Sequence, residues 1–212
     1  MKSKGIFITF EGTEGCGKST QISLLRDYFE SRNMECVLTR EPGGTALAEK
    51  IRDLLLDAKS GAKIFPKAEL LLFEAARAQH VDELIRPSLE AGKVVISDRF
   101  FDSSLAYQGS ARGLGEGFVS SANALAVGDC IPDLTILLDL SAAEGLERAR
   151  RRDADCADRM GSEKLEFYES VRRGFLKIAE DNPSRFTVVD ASKSSEDVAL
   201  EIRAIVKERF DV

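Results

Sequence analysis

The chain has 212 residues, 43% of them hydrophobic and 31% charged, which is the composition of a globular protein with a real core. This length predicts one domain, with room for an inserted lid. The formal net charge of −6 argues against a polynucleotide partner, which calls for a basic surface. A small phosphorylated ligand needs only a few local cations and stays compatible with the charge.

The N-terminal sequence leads directly into a predicted strand, without the apolar stretch of a signal peptide. No apolar run approaches the roughly 18 residues of a membrane span. The cysteines are far apart and form no C-x-x-C pair; they are Cys16, Cys36, Cys130 and Cys156. We therefore expect a cytoplasmic protein with free thiols and no membrane partner.

Short β-rich segments alternate with longer helical patterns along the chain. Strands are predicted at 5–11, 35–40, 93–98, 133–139 and 185–190. Helices are predicted at 18–32, 45–57, 67–91, 116–127, 142–152, 162–181 and 194–210. Three of the strands are nearly continuous apolar runs, which is typical of strands covered on both faces. The alternation predicts an α/β fold, in which helices cover both faces of a parallel sheet.

The first strand leads into the phosphate-binding pattern Gly12-x4-Gly17-Lys18-Ser19, which opens a predicted helix. Backbone N–H groups of such a loop and the positive end of the helix dipole suit phosphate oxygens. Lys18 adds a point charge, and Ser19 offers a hydroxyl to a magnesium ion. The residues predicted to bind phosphate here are Gly12, Thr13, Glu14, Gly15, Cys16, Gly17, Lys18, Ser19 and Thr20.

Arginines follow or end two further predicted strands. Arg40 ends the second strand, directly before the turn EPGGT at 41–45, and Arg99 follows the third. Ligands of open α/β sheets bind outside the carboxyl ends of the strands. Because the rigid guanidinium fork suits bidentate contact with phosphate oxygens, we predict a second phosphate site that faces the first.

Asp98 ends the third predicted strand, where a carboxylate can hold a magnesium ion through water. It could instead serve as the general base for a hydroxyl acceptor, and Asp139 is a rival for the metal role. The only histidine, His80, matches no motif, so we expect a structural or solvent-facing role. This scarcity of bases favours a phosphate as acceptor, because the second pKa of a phosphate is about 6 and no base is needed.

A dense charge run at 148–164 lacks apolar periodicity. Its arginines are Arg148, Arg150, Arg151, Arg152 and Arg159. A solvated helix end is the plain alternative. Because the protein is acidic overall, we predict instead a mobile lid whose arginines bind phosphate.

Five segments of the chain resemble, in order and spacing, those of thymidylate kinases: FEGTEGCGKST, TREPGGT, FEAARAQH, SDRFFDSSLAYQG and PDLTILLDL. The resemblance covers roughly residues 5–165 and continues more loosely to the end. It implies a phosphate-loop, nucleoside-monophosphate-kinase-like three-layer sandwich with a five-stranded parallel sheet and a short lid. The single domain would span 1–212, with the lid at about 148–164.

The same resemblance implies the reaction. The γ-phosphoryl group of ATP would pass to dTMP with Mg²⁺, giving dTDP and ADP for dTTP synthesis. It also implies a homodimer. Magnesium would be held by Ser19 and Asp98, and the catalytic residues would be Lys18, Asp98, Arg99 and Arg152.

Acceptor contacts also follow from the resemblance. Glu11 would contact the sugar 3′-hydroxyl, and Arg40 with Arg99 would clamp the phosphate of dTMP. Phe73 and Arg77, one helical turn apart, would stack on thymine and hydrogen-bond its edge. By itself, the pattern around Phe73 indicates a core residue.

A loop after the third strand supplies the remaining implied contacts. Tyr107 would crowd the sugar 2′ position, Gln108 would lie near the base, and Ser103 lies in the same loop. Some family members carry an arginine inside the phosphate loop, and this chain has none there. The bacterial-type pattern places that arginine in the lid, so we predict that Arg152 reaches the transferred phosphoryl group and that Arg148 binds ATP.

Other functions are compatible with a phosphate loop. A nucleoside kinase of the same fold would not clamp a second phosphate, so Arg40 in TREPGG argues against it. A GTP-dependent switch should contain an N-K-x-D motif, which the sequence lacks, and the D-x-x-G at 158–161 falls in the lid. Lys18, Ser19 and Asp98 argue against an inactive binding protein.

Overall fold

The computed structural model describes residues 5–57, 63–152 and 163–212. Within these ranges five parallel strands form one sheet in the order β2-β3-β1-β4-β5. The strands are β1 (Ile6–Glu11), β2 (Cys36–Arg40), β3 (Val94–Asp98), β4 (Leu134–Asp139) and β5 (Phe186–Asp190). The predicted parallel α/β sheet is therefore confirmed.

The sheet register brings the predicted site residues to one edge. Asp98 pairs with Phe10 of β1 on one side and with Arg40 of β2 on the other. Parallel strands present their carboxyl ends at the same edge of a sheet. The phosphate loop, Arg40 and Asp98 consequently lie along a single border of the molecule.

Helices follow each strand. They are α1 (Lys18–Glu30), α2 (Ala46–Leu56), α3 (Pro66–His80), α4 (Arg86–Glu90), α5 (Phe101–Ser104), α6 (Glu116–Val127), α7 (Ala142–Arg152), α8 (Leu165–Asp181) and α9 (Ser195–Phe210). Thr45 caps α2 by accepting from Ala48 N, and Ser194 caps α9 by accepting from Asp197 N. Serine and threonine are among the residues that favour this position, because the side-chain oxygen accepts from a free backbone N–H of the first turn.

The predicted helix at 67–91 is not regular throughout. A π-helical segment, Val81–Ile85, separates α3 from α4. Pro87 lies in the first turn of α4. A proline lacks an N–H and crowds the carbonyl of the residue four positions before it, and a wider turn relieves both effects.

A helical segment that was not predicted follows β3. It consists of α5 and the π-helical residues Leu105–Ala111. Serine and glycine there give weak helix propensity, so the local sequence did not indicate a helix. Packing decides the conformation, because Tyr107 is buried against Tyr168 and Phe175 of α8.

Helices cover both faces of the sheet, as expected. On one face Leu25 of α1 and Ile202 of α9 pack against Ile8. On the other, Ile85 and Phe100 pack against Phe7. Among the described residues no helix is long and apolar enough to cross a membrane.

Candidate active site

A cavity of about 300 Å³ opens at the carboxyl edge of the sheet. Most of the predicted site residues line it: Glu14, Gly15, Gly17, Lys18, Ser19, Thr20, Arg40, Phe73, Arg77, Asp98, Arg99, Ser103, Tyr107 and Gln108. The phosphate loop forms one wall, and residues from α3 and from the segment after β3 form the other. The fold thus assembles in one place residues that are up to 94 positions apart in the chain.

The phosphate loop holds its lysine close to the backbone. Lys18 Nζ donates to Gly12 O and Thr13 O, both at 3.1 Å, and to Cys16 Sγ at 3.6 Å. Gly17 has φ 92°, a left-handed conformation that favours glycine, and precedes the first residue of α1. The ammonium group is therefore fixed at the mouth of the loop, beside the N-terminus of α1.

Helix α7 packs directly on this loop. A Cβ built on Gly15 would lie 2.0 Å from Gly145 O, and one built on Gly145 would lie 2.4 Å from Glu14 O. Only glycines allow backbones to approach so closely. The start of α7 is therefore fixed against the phosphate loop, three residues before Arg148.

Arg99 spans the two walls of the cavity. Its Nη1 donates to Gly12 O and its Nη2 to Glu14 Oε1, both at 2.9 Å. Tyr107 OH lies 3.1 Å from both carboxylate oxygens of Glu14. Arg99 adopts φ 72°, which is uncommon for a residue with a side chain and marks a backbone held by its surroundings.

Glu11 does not line the cavity but lies beneath it. Its oxygens accept from Phe100 N at 2.8 Å and from Ser103 Oγ at 2.6 Å. Burial, reinforced by the charge of Asp102, raises the pKa of Glu11 from 4.5 to about 8, against the opposing effect of these donors. Of these two glutamates, Glu14 is the one that lines the cavity, and the sequence assigned it to the donor phosphates.

Replacing Glu11 by glutamine should stabilise the protein increasingly as the pH rises. The unfolded carboxyl loses its proton near pH 4.5, whereas the folded one keeps it until about pH 8. Wild-type protein therefore loses stability across this window and the variant does not. At about 1.4 kcal/mol per pKa unit, the difference should reach a few kcal/mol at neutral pH.

Urea unfolding of both proteins near pH 5 and near pH 7.5 measures this difference. The exposed Glu166→Gln is the matched control, and its effect should be small at both pH values. An equal effect of Glu11→Gln at both values would show that Glu11 is ionised in the fold.

Arg77 of α3 is the most enclosed arginine of the cavity, with 2% of its surface exposed. Its Nε donates to Glu41 Oε2 at 2.7 Å and its Nη1 to Glu74 Oε1 at 2.6 Å. Burial alone would lower the pKa of the guanidinium, but these two charges outweigh it and hold the pKa above its usual value. Phe73 is half-buried and lines the cavity, so it is not simply a core residue.

Arg40 is about half exposed and is oriented by a carboxylate. Its Nη2 donates to Glu49 Oε2 at 3.1 Å, while Gly44 N donates to Glu49 Oε1 at 2.9 Å. The Gly44 N–H and Arg40 lower the pKa of Glu49. Glu49 thereby links the EPGGT turn to the guanidinium at the end of β2.

Asp98 suits a magnesium ion better than its rival. Within the part of the chain that the structure describes, its Oδ1 is buried without a hydrogen-bond partner, and Asp98 lines the same cavity as Ser19. Asp139 is instead paired with Arg172 at 2.7 and 2.8 Å and lies outside the cavity. Among the described residues, no three His, Cys, Asp or Glu side chains cluster as a metal site. Mg²⁺ typically binds one or two carboxylates together with substrate phosphates, so these residues fit it.

The predicted lid is described only in part. Arg148 does not line the cavity; it donates to Ala191 O at 3.1 Å and to Glu144 Oε1 at 2.6 Å. Arg150 and Arg151 are exposed on α7. The side chain of Arg152 and all of residues 153–162, including Arg159 and Cys156, lie outside the described residues.

Several cavity residues were not assigned from the sequence. Arg52 of α2 lines the cavity and donates to Pro42 O at 2.7 Å. Leu56 and Glu41 line it as well. Arg52 could have been predicted as a cavity residue from the sequence, because it lies two turns into the helix that begins at the EPGGT turn.

Comparison with known proteins identifies relatives along almost the whole chain. Residues 10–202 match the family model described as thymidylate kinase. The thymidylate kinase of Desulfovibrio desulfuricans is 52% identical over 207 residues, which cover 95% of each chain. That of Protochlamydia amoebophila is 45% identical over 214 residues, covering 99% of this chain and 95% of the relative.

A solved structure shares the fold. The crystal structure of thymidylate kinase from Ehrlichia chaffeensis superposes with a TM-score of 0.76 at 38% sequence identity. The match covers 96% of this chain and 99% of the other. The similarity therefore extends over almost the whole of both chains.

Proposed function

The chain belongs to the thymidylate kinase family, and we propose that it transfers the γ-phosphoryl group of ATP to dTMP, giving dTDP and ADP. The observation that best supports this reaction is that cations lie on both walls of a single cavity. Lys18 lies on the phosphate-loop wall, whereas Arg40 lines the cavity from the end of β2 and Arg99 from the segment after β3. A nucleoside acceptor would not need Arg40, because it has no phosphate to bind.

Catalysis by this chain consists of positioning and charge neutralisation. The phosphate-loop N–H groups and Lys18 hold the phosphates of ATP. Arg99 comes from the segment after β3 and contacts the phosphate loop, so it would contact both the donor and the acceptor phosphate. Because the acceptor phosphate is already mostly ionised at neutral pH, no side chain has to remove a proton.

Magnesium would be held by Ser19 and by Asp98, whose buried Oδ1 has no hydrogen-bond partner among the described residues, with Asp98 acting as its ligand rather than as a general base. When bound, the ion neutralises part of the charge on the phosphate oxygens. Asp98 lies at the end of β3, next to Arg99, so the ion and this arginine would act on the same phosphates.

The wall opposite the phosphate loop would bind dTMP. Phe73 offers a face for stacking on the base, with Arg77 and Gln108 near the base edge, and Arg40 with Arg99 clamps the phosphate. We assign the sugar 3′-hydroxyl to Glu14 rather than to Glu11, because Glu14 faces the cavity.

A coupled ADP-release assay tests the function. Purified protein should turn over with dTMP much faster than with dUMP, UMP, CMP or AMP, and should not use thymidine. Faster phosphorylation of thymidine than of dTMP would overturn the acceptor-phosphate proposal.

The arginines of α7 should differ in their effects on catalysis and on ATP binding. Arg152→Ala should lower kcat by about tenfold or more with little change in the KM for dTMP, because it removes a cation recruited in the transition state. Arg148→Ala should mainly raise the KM for ATP, since α7 packs on the phosphate loop at Gly145. Steady-state kinetics measures both effects.

The exposed Arg150 and Arg151 provide matched alanine variants within the same charge run. If single variants at 148, 150, 151 and 152 all keep near-wild-type kcat, the run is a solvated helix end and not a catalytic lid.

We also propose that the protein is a cytoplasmic homodimer. Large apolar side chains are exposed on three helices, with Leu54 on α2, Leu71 on α3 and both Phe118 and Leu125 on α6. Helix α3 packs against α2 and α6, which groups these residues on neighbouring elements. A dimer that buries them would remove this apolar surface from water. Sedimentation velocity measures the oligomeric state.

A further inference from the structure

His80 is a buried residue that the proposed reaction leaves unused. Its side chain is fully enclosed and does not line the cavity, so the solvent-facing role considered from the sequence is wrong. Both ring nitrogens have partners. Nδ1 lies 3.0 Å from Glu41 Oε1, and Nε2 lies 2.6 Å from Thr39 Oγ1.

The chemistry of these partners fixes the direction of the hydrogen bonds. A carboxylate oxygen can only accept, so Nδ1 carries the proton and donates to Glu41. In the neutral ring Nε2 then accepts from the hydroxyl of Thr39. The other oxygen of Glu41 accepts from Arg77 Nε at 2.7 Å. A continuous chain of bonds therefore runs from the end of β2 through His80 to Arg77.

The EPGGT turn packs on the same histidine. A Cβ built on Gly44 would lie 2.5 Å from both His80 Nε2 and Thr39 Oγ1, so the turn backbone touches the hydrogen bond between them. Gly44 N in turn donates to Glu49, which accepts from Arg40. His80 is thus connected to Arg40 through the turn and Glu49, and to Arg77 through Glu41.

We propose that His80 is a positioning residue for the acceptor nucleotide. By fixing Glu41 and the EPGGT turn, it sets the orientation of Arg40 and Arg77 at once, without touching the substrate. This inference rests on the proposed function, because the two arginines are assigned there to dTMP. Among the described residues, the phosphate loop makes no hydrogen bond to His80, Glu41 or Arg77, so ATP binding should be independent of this hydrogen-bond network.

His80→Phe preserves a planar ring and removes both hydrogen bonds. We expect its KM for dTMP to rise about tenfold or more, while its KM for ATP and its kcat at saturating dTMP stay within about twofold of wild type. Gln79→Ala is the matched control on the same helix, because Gln79 donates to Glu83 at 2.6 Å and not to any residue of the His80 hydrogen-bond network. It should leave all three parameters unchanged.

Thr39 gives a second, milder test that does not depend on the folding of His80→Phe. Thr39→Val removes only the hydroxyl and should raise the KM for dTMP, whereas Thr39→Ser keeps the hydroxyl and should restore it. The inference is overturned if the KM values for dTMP and ATP rise equally, or if Thr39→Val and a folded His80→Phe bind dTMP normally. Absence of turnover with dTMP in the wild-type protein would instead contradict the proposed function.

Discussion

Lys18→Ala should lower kcat by about 10²–10³-fold, which is the usual effect of removing one oriented transition-state stabiliser. The ammonium group is held at the mouth of the phosphate loop by Gly12 O and Thr13 O. It is the cation that this loop itself contributes, and charge moves onto the bridging and leaving oxygens during transfer. Its loss should therefore affect the transition state more than the binding of ATP. Steady-state kinetics measures kcat and both KM values.

The control for this variant is Lys177→Ala. Lys177 is an exposed lysine of α8 that pairs with Asp181 at 2.7 Å, so its loss should leave kcat near the wild-type value. Circular dichroism should show that both variants are folded. Near-normal turnover of folded Lys18→Ala would contradict the assignment of the loop as the donor-phosphate site.

Arg40→Ala should weaken the binding of dTMP by about 10- to 100-fold, since a hydrogen bond to a charged group contributes about 1.5–3 kcal/mol. Arg40 is about half exposed and its pair with Glu49 is open to solvent, so its removal should cost little stability. The phosphate loop is formed by other residues, and ATP binding should be almost unchanged. Isothermal titration calorimetry with each nucleotide measures the two affinities separately.

Arg26→Ala is the matched control, because Arg26 is a partly exposed arginine of α1 paired with Asp27 at 2.7 Å. It should change neither affinity. Equal losses of dTMP and ATP affinity in Arg40→Ala would mean that this arginine supports the fold or the donor site, and the acceptor assignment would be withdrawn.

The strands and most of the helices were predictable because their signals are local. Continuous apolar runs and their alternation with longer helical patterns identified the parallel sheet. The π-helical segment Leu105–Ala111 had no such signal. Its conformation depends on Tyr107 packing against α8, which is more than 50 residues away in the chain.

The residues of the site likewise fall into those that local sequence predicts and those whose placement depends on packing. The sequence by itself determined the phosphate loop and placed Arg40, Asp98 and Arg99 at strand ends, because parallel strands bring their carboxyl ends to one edge whatever the details of packing. The positions of Glu11 and Glu14, three residues apart, did not show which of the two carboxylates lines the cavity.

Only the tertiary structure shows how differently those two carboxylates are placed, because burial depends on contacts from distant segments. Phe100 and Ser103 enclose Glu11 beneath the cavity, while Glu14 faces it. His80 is the same kind of case. Nothing near His80 in the sequence indicates a role. Its connection to Arg40 and Arg77 exists only because β2 and the turn after it bring Thr39 and Glu41 to the two ring nitrogens.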